Sequence, residues 1–192
     1  MRRILAFLPG ALALAMAGAV VAEESDEGLP VMTPEQMETF QFEPIESEPP
    51  VVMDLNVGQR AIMSQQRRSI RDLIARRLGV LSLKGDRSDL SIIQRVIDRG
   101  LIRDDEVREW QALGVVYGDV LAKEFDMHWV SYEDEQGASK ALRWRDTSNF
   151  LFPVTMFSKR VYFDEDIDAE ALTAELAETV TRFKRFESLK PR

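Results

Sequence analysis

The strongest constraint on the fold is a change in the spacing of apolar residues near residue 126. Before this point apolar residues recur at intervals of three and four, which predicts helices over about 57–78 and 89–99, and a third that starts after the caps Asp104-Asp105 and ends at about residue 124. After it, apolar and polar residues alternate over 128–133, which predicts a strand. The chain must therefore combine several helices with a small sheet.

Turn-forming residues divide the remainder of the chain into short elements. The predicted elements are strands over 142–145 and 149–152, a helical turn from Pro153 to about Val161, and a helix over 169–186 capped by Asp168. The predicted fold class is therefore α+β. It has N-terminal helices, a small antiparallel β-meander of about three strands, and C-terminal helices packed on one face of the sheet.

Two glycines lie inside the third predicted helix. Gly114 and Gly118 are four residues apart, and each costs a helix about 1 kcal/mol relative to alanine. Close approach of another segment's backbone would explain both residues, while a break in the helix is the alternative. We expect the close approach, since both glycines would lie on one side of the helix.

The first 22 residues have the features of a secretory signal peptide. Met1-Arg2-Arg3 is basic, Ile4 to Ala22 is apolar or small apart from Pro9-Gly10, and Val20 and Ala22 occupy the small-residue positions of a cleavage site. An uncleaved membrane anchor is the alternative. We expect cleavage before Glu23, no stable membrane span in the cleaved chain, and a periplasmic or secreted location.

Negative charge is concentrated directly after this segment. The formal net charge of the chain is −8, yet residues 23–54 hold ten acidic residues and no basic one, whereas residues 55–192 hold 23 of each. Five of the eight prolines also lie in 23–54. Such a composition predicts an acidic, proline-rich arm that is mostly flexible, either a linker or an interaction segment. Residues 55–192 are predicted to form a single α+β domain.

Several chemistries are disfavoured by composition. Without cysteine and with one histidine, His128, the chain has no thiolate ligand or cysteine nucleophile, and a structural zinc site is not expected. Asp164, Asp166, Asp168 and Glu175 have the spacing of a calcium-binding loop, but that loop's essential glycine is replaced. The acidic balance disfavours nucleic-acid binding. We therefore predict no cofactor, no metal, no nucleic-acid partner and no catalytic residue.

The candidate binding residues lie in the predicted sheet and the helix that follows it. They are Trp129, Trp144, Thr155, Lys159 and Arg160. Thr155 with the two basic residues could hold an anion at a helix start. We favour instead a structural brace, in which Arg160 pairs with Asp119 or Asp134. A run of arginines in the first helix, between Arg67 and Arg77, is expected to be mainly a solvated surface.

An ordered set of short motifs resembles a family of secreted bacterial proteins known as domain of unknown function 3806. The motifs are Gln66-Arg67, Ile97-Asp98-x-Gly100, Leu113-Gly114, Tyr117-Gly118-Asp119, Trp129-Val130, Asp134-Glu135-x-Gly137, Leu142-Arg143 and Phe152-Pro153-x-Thr155-Met156-x-Ser158-Lys159-Arg160. The resemblance implies an α+β domain behind a signal peptide and carries no activity to transfer.

These observations predict an exported, non-enzymatic module that binds a protein or small ligand of the cell envelope. The expected contact surface is the sheet with its open edges, because an unpaired strand edge can pair with a partner strand. The expected partner is an envelope or extracellular protein. The alternative is an envelope hydrolase whose carboxylates are dispersed along the sequence.

Overall fold

The computed structural model describes residues 49–189, and these residues contain five α-helices and one four-stranded antiparallel sheet. This confirms the predicted α+β class. The strands pair in chain order, β1-β2-β3-β4, with β2 and β3 joined by a tight hairpin. Their bounds are β1 Val51–Asp54, β2 Met127–Asp134, β3 Gly137–Trp144 and β4 Phe150–Leu151.

The helices lie close to their predicted positions. They are α1 Val57–Leu78, α2 Leu90–Asp98, α3 Val107–Phe125, α4 Pro153–Tyr162 and α5 Ala169–Leu189. The start of α3 was predicted one residue too early, since its N-cap is Glu106. The predicted cap Asp105 instead forms an ion pair, with its Oδ1 3.2 Å from Nε of Arg103. No helix within residues 49–189 combines the length and the apolar character needed to cross a bilayer.

The first strand was not predicted. Residues 51–54 were assigned to the acidic arm, but they form β1 and pair with β2 from Val51 opposite Glu133 to Asp54 opposite Val130. Pro49 and Pro50 immediately precede it, and proline is compatible with the start of an edge strand. The predicted signal peptide, residues 1–22, and the first part of the arm, residues 23–48, lie outside the described residues.

Helix α3 lies at the centre of the hydrophobic core. Its residues Leu113, Tyr117, Val120 and Leu121 are fully buried, and its two glycines allow other segments to approach closely. A Cβ atom on Gly114 would lie 2.5 Å from the carbonyl oxygen of Pro153 at the start of α4. The predicted close approach of a neighbouring backbone is therefore confirmed at that position.

The two faces of the sheet have different surroundings. The face that carries Leu142, Trp144 and Leu151 is buried in the helical core. On the opposite face the ring of Tyr132 lies 5.0 Å from that of Phe150 and 5.1 Å from that of Phe152, measured between centroids. The helices thus cover one face of the sheet, and a small aromatic cluster lies on the other.

Candidate functional site

Capping interactions define where helix α1 begins and ends, and so determine the direction of each of its side chains. At its start Asn56 and Gln59 form a reciprocal capping box, with N···O distances of 2.8 and 2.9 Å. At its end Gly79 adopts the left-handed conformation, with φ of 70°. Because successive helical residues are turned by about 100°, Gln66 and Arg67 point to different sides of α1.

On one side, Arg67 makes a bidentate ion pair with Asp119 of α3. Its Nε and Nη2 atoms donate to the two carboxylate oxygens at 2.6 and 2.7 Å. The indole Nε1 of Trp129, on β2, donates to the same carboxylate at 3.0 Å. We call Arg67, Asp119 and Trp129 the Arg67 brace, because its members join α1, α3 and β2.

The electrostatics of the Arg67 brace favour the charged pair. The side chains of Arg67 and Asp119 are 23% and 25% exposed, so they are only partly shielded from water. The hydrogen bond to Asp119 raises the pKa of Arg67, and the negative charge adds to this, although partial burial acts in the opposite direction. A charge-assisted, two-point contact of this kind fixes orientation as well as distance.

The structure corrects the predicted brace through Arg160. Its Nη1 donates to the carbonyl oxygen of Met156 at 3.1 Å, within the same helix. Asp119 is engaged by Arg67, and Asp134 accepts a hydrogen bond from the backbone N–H of Gln136 in the β2–β3 turn at 2.9 Å. Asp119 is therefore part of a brace, but its cationic partner comes from α1.

The residues of the predicted anion site are spread along the length of α4. Thr155 lies in the first turn, whereas Lys159 and Arg160 lie in the last turn. Since a helix rises 1.5 Å per residue, about 9 Å separates the basic residues from the helix start. At that end they face the negative pole of the helix dipole, which stabilises cations.

Neither predicted sheet tryptophan forms an open binding surface. Trp144 is 5% exposed and belongs to the core, while Trp129 is half-buried, with its ring against Gly118. Alternation along a strand separates two faces but does not show which face the helices cover, and both tryptophans lie on the covered one. His128 is exposed on the opposite face.

On the other side of α1 lies a groove, bounded by α1, the first turns of α3 and one residue of β3. Its volume is about 530 Å³. Its lining is mainly polar and is supplied by Ile62, Gln65, Gln66, Ser69, Arg108, Glu109, Gln111, Ala112 and Lys140. We call this cavity the α1–α3 groove.

The polar side chains of the α1–α3 groove make no hydrogen bond or ion pair with other described residues. Arg108 and Lys140 therefore have no acidic partner there, and Glu109 has no basic one. Within residues 49–189, the Oε1 atom of Gln66 is the one buried side-chain polar atom without a hydrogen-bond partner. Such atoms are rare in folded proteins and call for an explanation.

Acidic residues do not gather into a metal site in the part of the chain that the structure describes. Asp104, Asp164, Glu165 and Asp166 border a smaller cavity of about 220 Å³, and all four are exposed. Asp168 caps α5, with its carboxylate accepting from the N–H of Ala171 at 2.9 Å. The acids with calcium-loop spacing thus belong to a surface and a helix cap.

One protein family matches a segment of the chain that begins after α1. Residues 89–172 match the family described as Domain of unknown function (DUF3806). This confirms the resemblance seen in the sequence. Gln66 and Arg67 precede the matched residues, so the Arg67 brace and the α1–α3 groove each join α1 to the DUF3806 region.

The fold has a counterpart among solved structures. A crystal structure of a protein from Bacteroides thetaiotaomicron, determined at 1.50 Å resolution, is similar, with 21% sequence identity and a TM-score of 0.60. The similarity covers 68% of this chain and 48% of the other, so it extends over about half the length of that protein. It shows a shared fold. No curated protein matches this chain.

Sequence reasoning missed the α1–α3 groove. Arg108, Gln111 and Lys140 were not predicted as site residues, and Gln66 was noted only as part of a family motif. Polar residues on a predicted helix normally indicate a solvated face, so their convergence leaves no trace in the sequence. The one available signal was the adjacent Gln66-Arg67 pair within the resemblance.

Proposed function

We propose that this protein is a non-enzymatic binding module of the cell envelope and that its ligand occupies the α1–α3 groove. The unpartnered Oε1 atom of Gln66 is the observation that supports this most strongly. Leaving a buried acceptor without a donor costs a fold about 1–3 kcal/mol. A ligand donor would recover that energy on binding once the Gln66 side chain changes rotamer and turns Oε1 into the groove.

The composition of the groove favours binding over hydrolysis. A glycoside hydrolase needs two carboxyl groups on opposite sides of the scissile bond. Among the described residues that line the groove, Glu109 supplies a single carboxylate, beside two cations and three carboxamides. This set suits recognition through charge and hydrogen bonds. We therefore prefer the binding function to the alternative of an envelope hydrolase.

The envelope location rests on residues 1–22, whose sequence has the features of a signal peptide. The proposed ligand or partner is accordingly a molecule of the envelope or the extracellular space. N-terminal sequencing of the protein recovered from its native host should give Glu23 as the first residue. An intact N-terminus on all recovered protein would contradict export by this route.

The proposed function is tested by locating ligand contacts in ¹H–¹⁵N NMR spectra of the full chain. Four probe classes are titrated separately: short peptides, free amino acids, neutral hexoses and hexose phosphates. At least one class should shift the side-chain amide signals of Gln66 and Gln111. Absence of any shift at residues of the groove would overturn the proposal.

A matched pair of variants separates specific binding from general electrostatics. Lys140→Glu changes a groove residue, whereas Lys184→Glu makes the same change on α5 at an exposed lysine outside the groove. Binding of the active probe class should weaken in the first variant and persist in the second. Equal weakening in both would show that the probe responds only to net charge.

A further inference from the structure

We infer that the ligand of the α1–α3 groove is a short acidic peptide segment. The inference rests on the proposed function and names the chemical class that the groove recognises. The segment could belong to a free peptide or to an exposed stretch of a partner protein, because the recognised chemistry is the same.

The charges in the groove favour a carboxylate. Arg108 is in the first turn of α3 and Lys140 is on β3, so two different elements direct cations to one cavity. Neither side chain is paired with a described acid. Arginine and lysine together can hold a carboxylate at two points, and charge-assisted hydrogen bonds are the stronger ones. A neutral ligand would not use either charge.

The carboxamide of Gln66 places a second requirement on the ligand. The buried Oε1 atom of Gln66 needs a hydrogen-bond donor, and Glu109 can only accept when ionised. Inorganic phosphate at neutral pH and simple carboxylates offer mainly acceptors, so they would satisfy the cations and leave Gln66 unpaired. A peptide segment carries both a carboxylate and backbone N–H donors.

The remaining lining residues are consistent with a peptide backbone. Gln65, Gln66 and Gln111 each offer one acceptor and two donor hydrogens, which is the complement of a peptide C=O and N–H. The lining contains no aromatic ring on which a nucleobase could stack. The volume of about 530 Å³ lies within the range of about 300–1,000 Å³ that is usual for ligand pockets.

The first experiment compares two isosteric probes with the full chain by isothermal titration calorimetry. The probes are acetyl-Ala-Glu-Ala-Glu-Ala-amide and its counterpart with glutamine in place of both glutamates. The acidic peptide should bind at least about 10-fold more tightly, as expected for one charge-assisted hydrogen bond. Its affinity should fall with added salt, since the cations are accessible to solvent.

Two groove variants then show where the acidic peptide binds. Lys140→Glu should weaken the acidic peptide by at least about 10-fold, because it replaces attraction by repulsion. Lys184→Glu, at an exposed lysine of α5 outside the groove, is the control and should leave its affinity within about 2-fold. Gln66→Met, which removes the amide but keeps the chain length, should weaken both peptides by about 3- to 10-fold. Thermal unfolding of each variant verifies that it is folded.

The outcomes separate this inference from the proposed function. Preference for the acidic peptide with loss in Lys140→Glu supports both. Equal affinity for the two peptides, or binding of a hexose or hexose phosphate in the groove instead, overturns the peptide inference while the binding function stands. Failure of every probe class to perturb groove residues overturns both.

Discussion

Gln66 and Arg67 are consecutive residues of one helix, yet their surroundings differ in almost every respect. Arg67 makes two short hydrogen bonds to Asp119, which also accepts from Trp129. Gln66 lies in the α1–α3 groove with a buried oxygen that has no partner among residues 49–189. One side of α1 is thus fully used by the fold. The other side presents polar groups that the fold does not use.

This difference follows from what faces each side of the helix. On the brace side, the absence of a side chain on Gly118 lets the Trp129 ring lie against α3, close enough to reach Asp119. On the groove side, the nearest elements present Arg108, Gln111 and Lys140, which leave a cavity between them. A fold gains stability from satisfied polar groups, and a binding site needs groups that remain available.

The largest expected effect on stability comes from adding a side chain at Gly118, where the Arg67 brace needs the space. A Cβ atom on Gly118 would lie 2.4 Å from Cζ2 of Trp129 and 2.7 Å from Cγ of Pro153. Gly118→Val should therefore destabilise the protein by about 3 kcal/mol, at the upper end of overpacking costs. Urea unfolding, followed by circular dichroism, measures the change.

Gly58→Ala is the matched control for this substitution. Its new Cβ would have Asn56 Oδ1 as its nearest neighbour at 3.4 Å, which is ordinary contact. The higher helix propensity of alanine should make this variant equal to the parent or more stable by up to about 1 kcal/mol. If Gly118→Val cost no more than Gly58→Ala, the brace side would not be tightly packed.

The second expected effect comes from removing the carboxylate at the centre of the brace. Asp119→Ala leaves the Arg67 guanidinium and the Trp129 N–H without their shared acceptor. Hydrogen bonds to charged groups contribute about 1.5–3 kcal/mol, and partial exposure reduces this through solvent screening. We therefore expect a loss of about 2 kcal/mol in the free energy of unfolding.

Asp72→Ala is the control, because Asp72 is an exposed acid on α1 with no ion pair among the described residues. Its effect should stay within about 0.5 kcal/mol, as is usual for surface substitutions. A similar small effect for Asp119→Ala would mean that the ion pair orients the side chains without stabilising the fold.

The contrast between the two sides also shows what a sequence can predict. Apolar spacing predicted the bounds of α1, because it is a local signal. The partner of Asp119 could not be predicted in this way, since Arg67 lies 52 residues away and the pairing depends on tertiary packing. Strand β1 was missed because the acids and prolines before it outweighed a signal of only three apolar residues.

The groove illustrates a further limit of sequence reasoning. Gln65, Gln66 and Ser69 resemble any polar surface of an amphipathic helix, and Lys140 resembles any charged strand residue. Only the packing of α1 against α3 and β3 brings them to one cavity. The resemblance to DUF3806 supported the fold, but it contains no chemistry that could have marked these positions.

The third prediction concerns the unpartnered amide. Gln66→Met should raise the free energy of unfolding by about 1 kcal/mol, because an apolar side chain of similar length removes a buried acceptor that has no donor. Gln65→Met is the control. Gln65 is exposed, so its substitution should change stability by less than about 0.5 kcal/mol. A clear loss of stability in Gln66→Met would show that the fold itself uses this amide.

The smallest expected effect on stability comes from replacing Arg108. Comparing it with the replacement of Arg67 contrasts the two sides of α1 most directly. Arg108 is exposed in the first turn of α3, where the positive pole of the helix dipole disfavours a cation by about 0.3–1 kcal/mol. Arg108→Ala should therefore leave stability unchanged or raise it by about 0.5 kcal/mol, whereas Arg67→Ala should lower it. Thermal unfolding of the two variants under identical conditions provides the comparison. A loss above about 1 kcal/mol in the free energy of unfolding of Arg108→Ala would show that this arginine stabilises the fold. The fold itself would then explain why a cation lies at this unfavourable end of the helix, and no ligand would be needed to explain it.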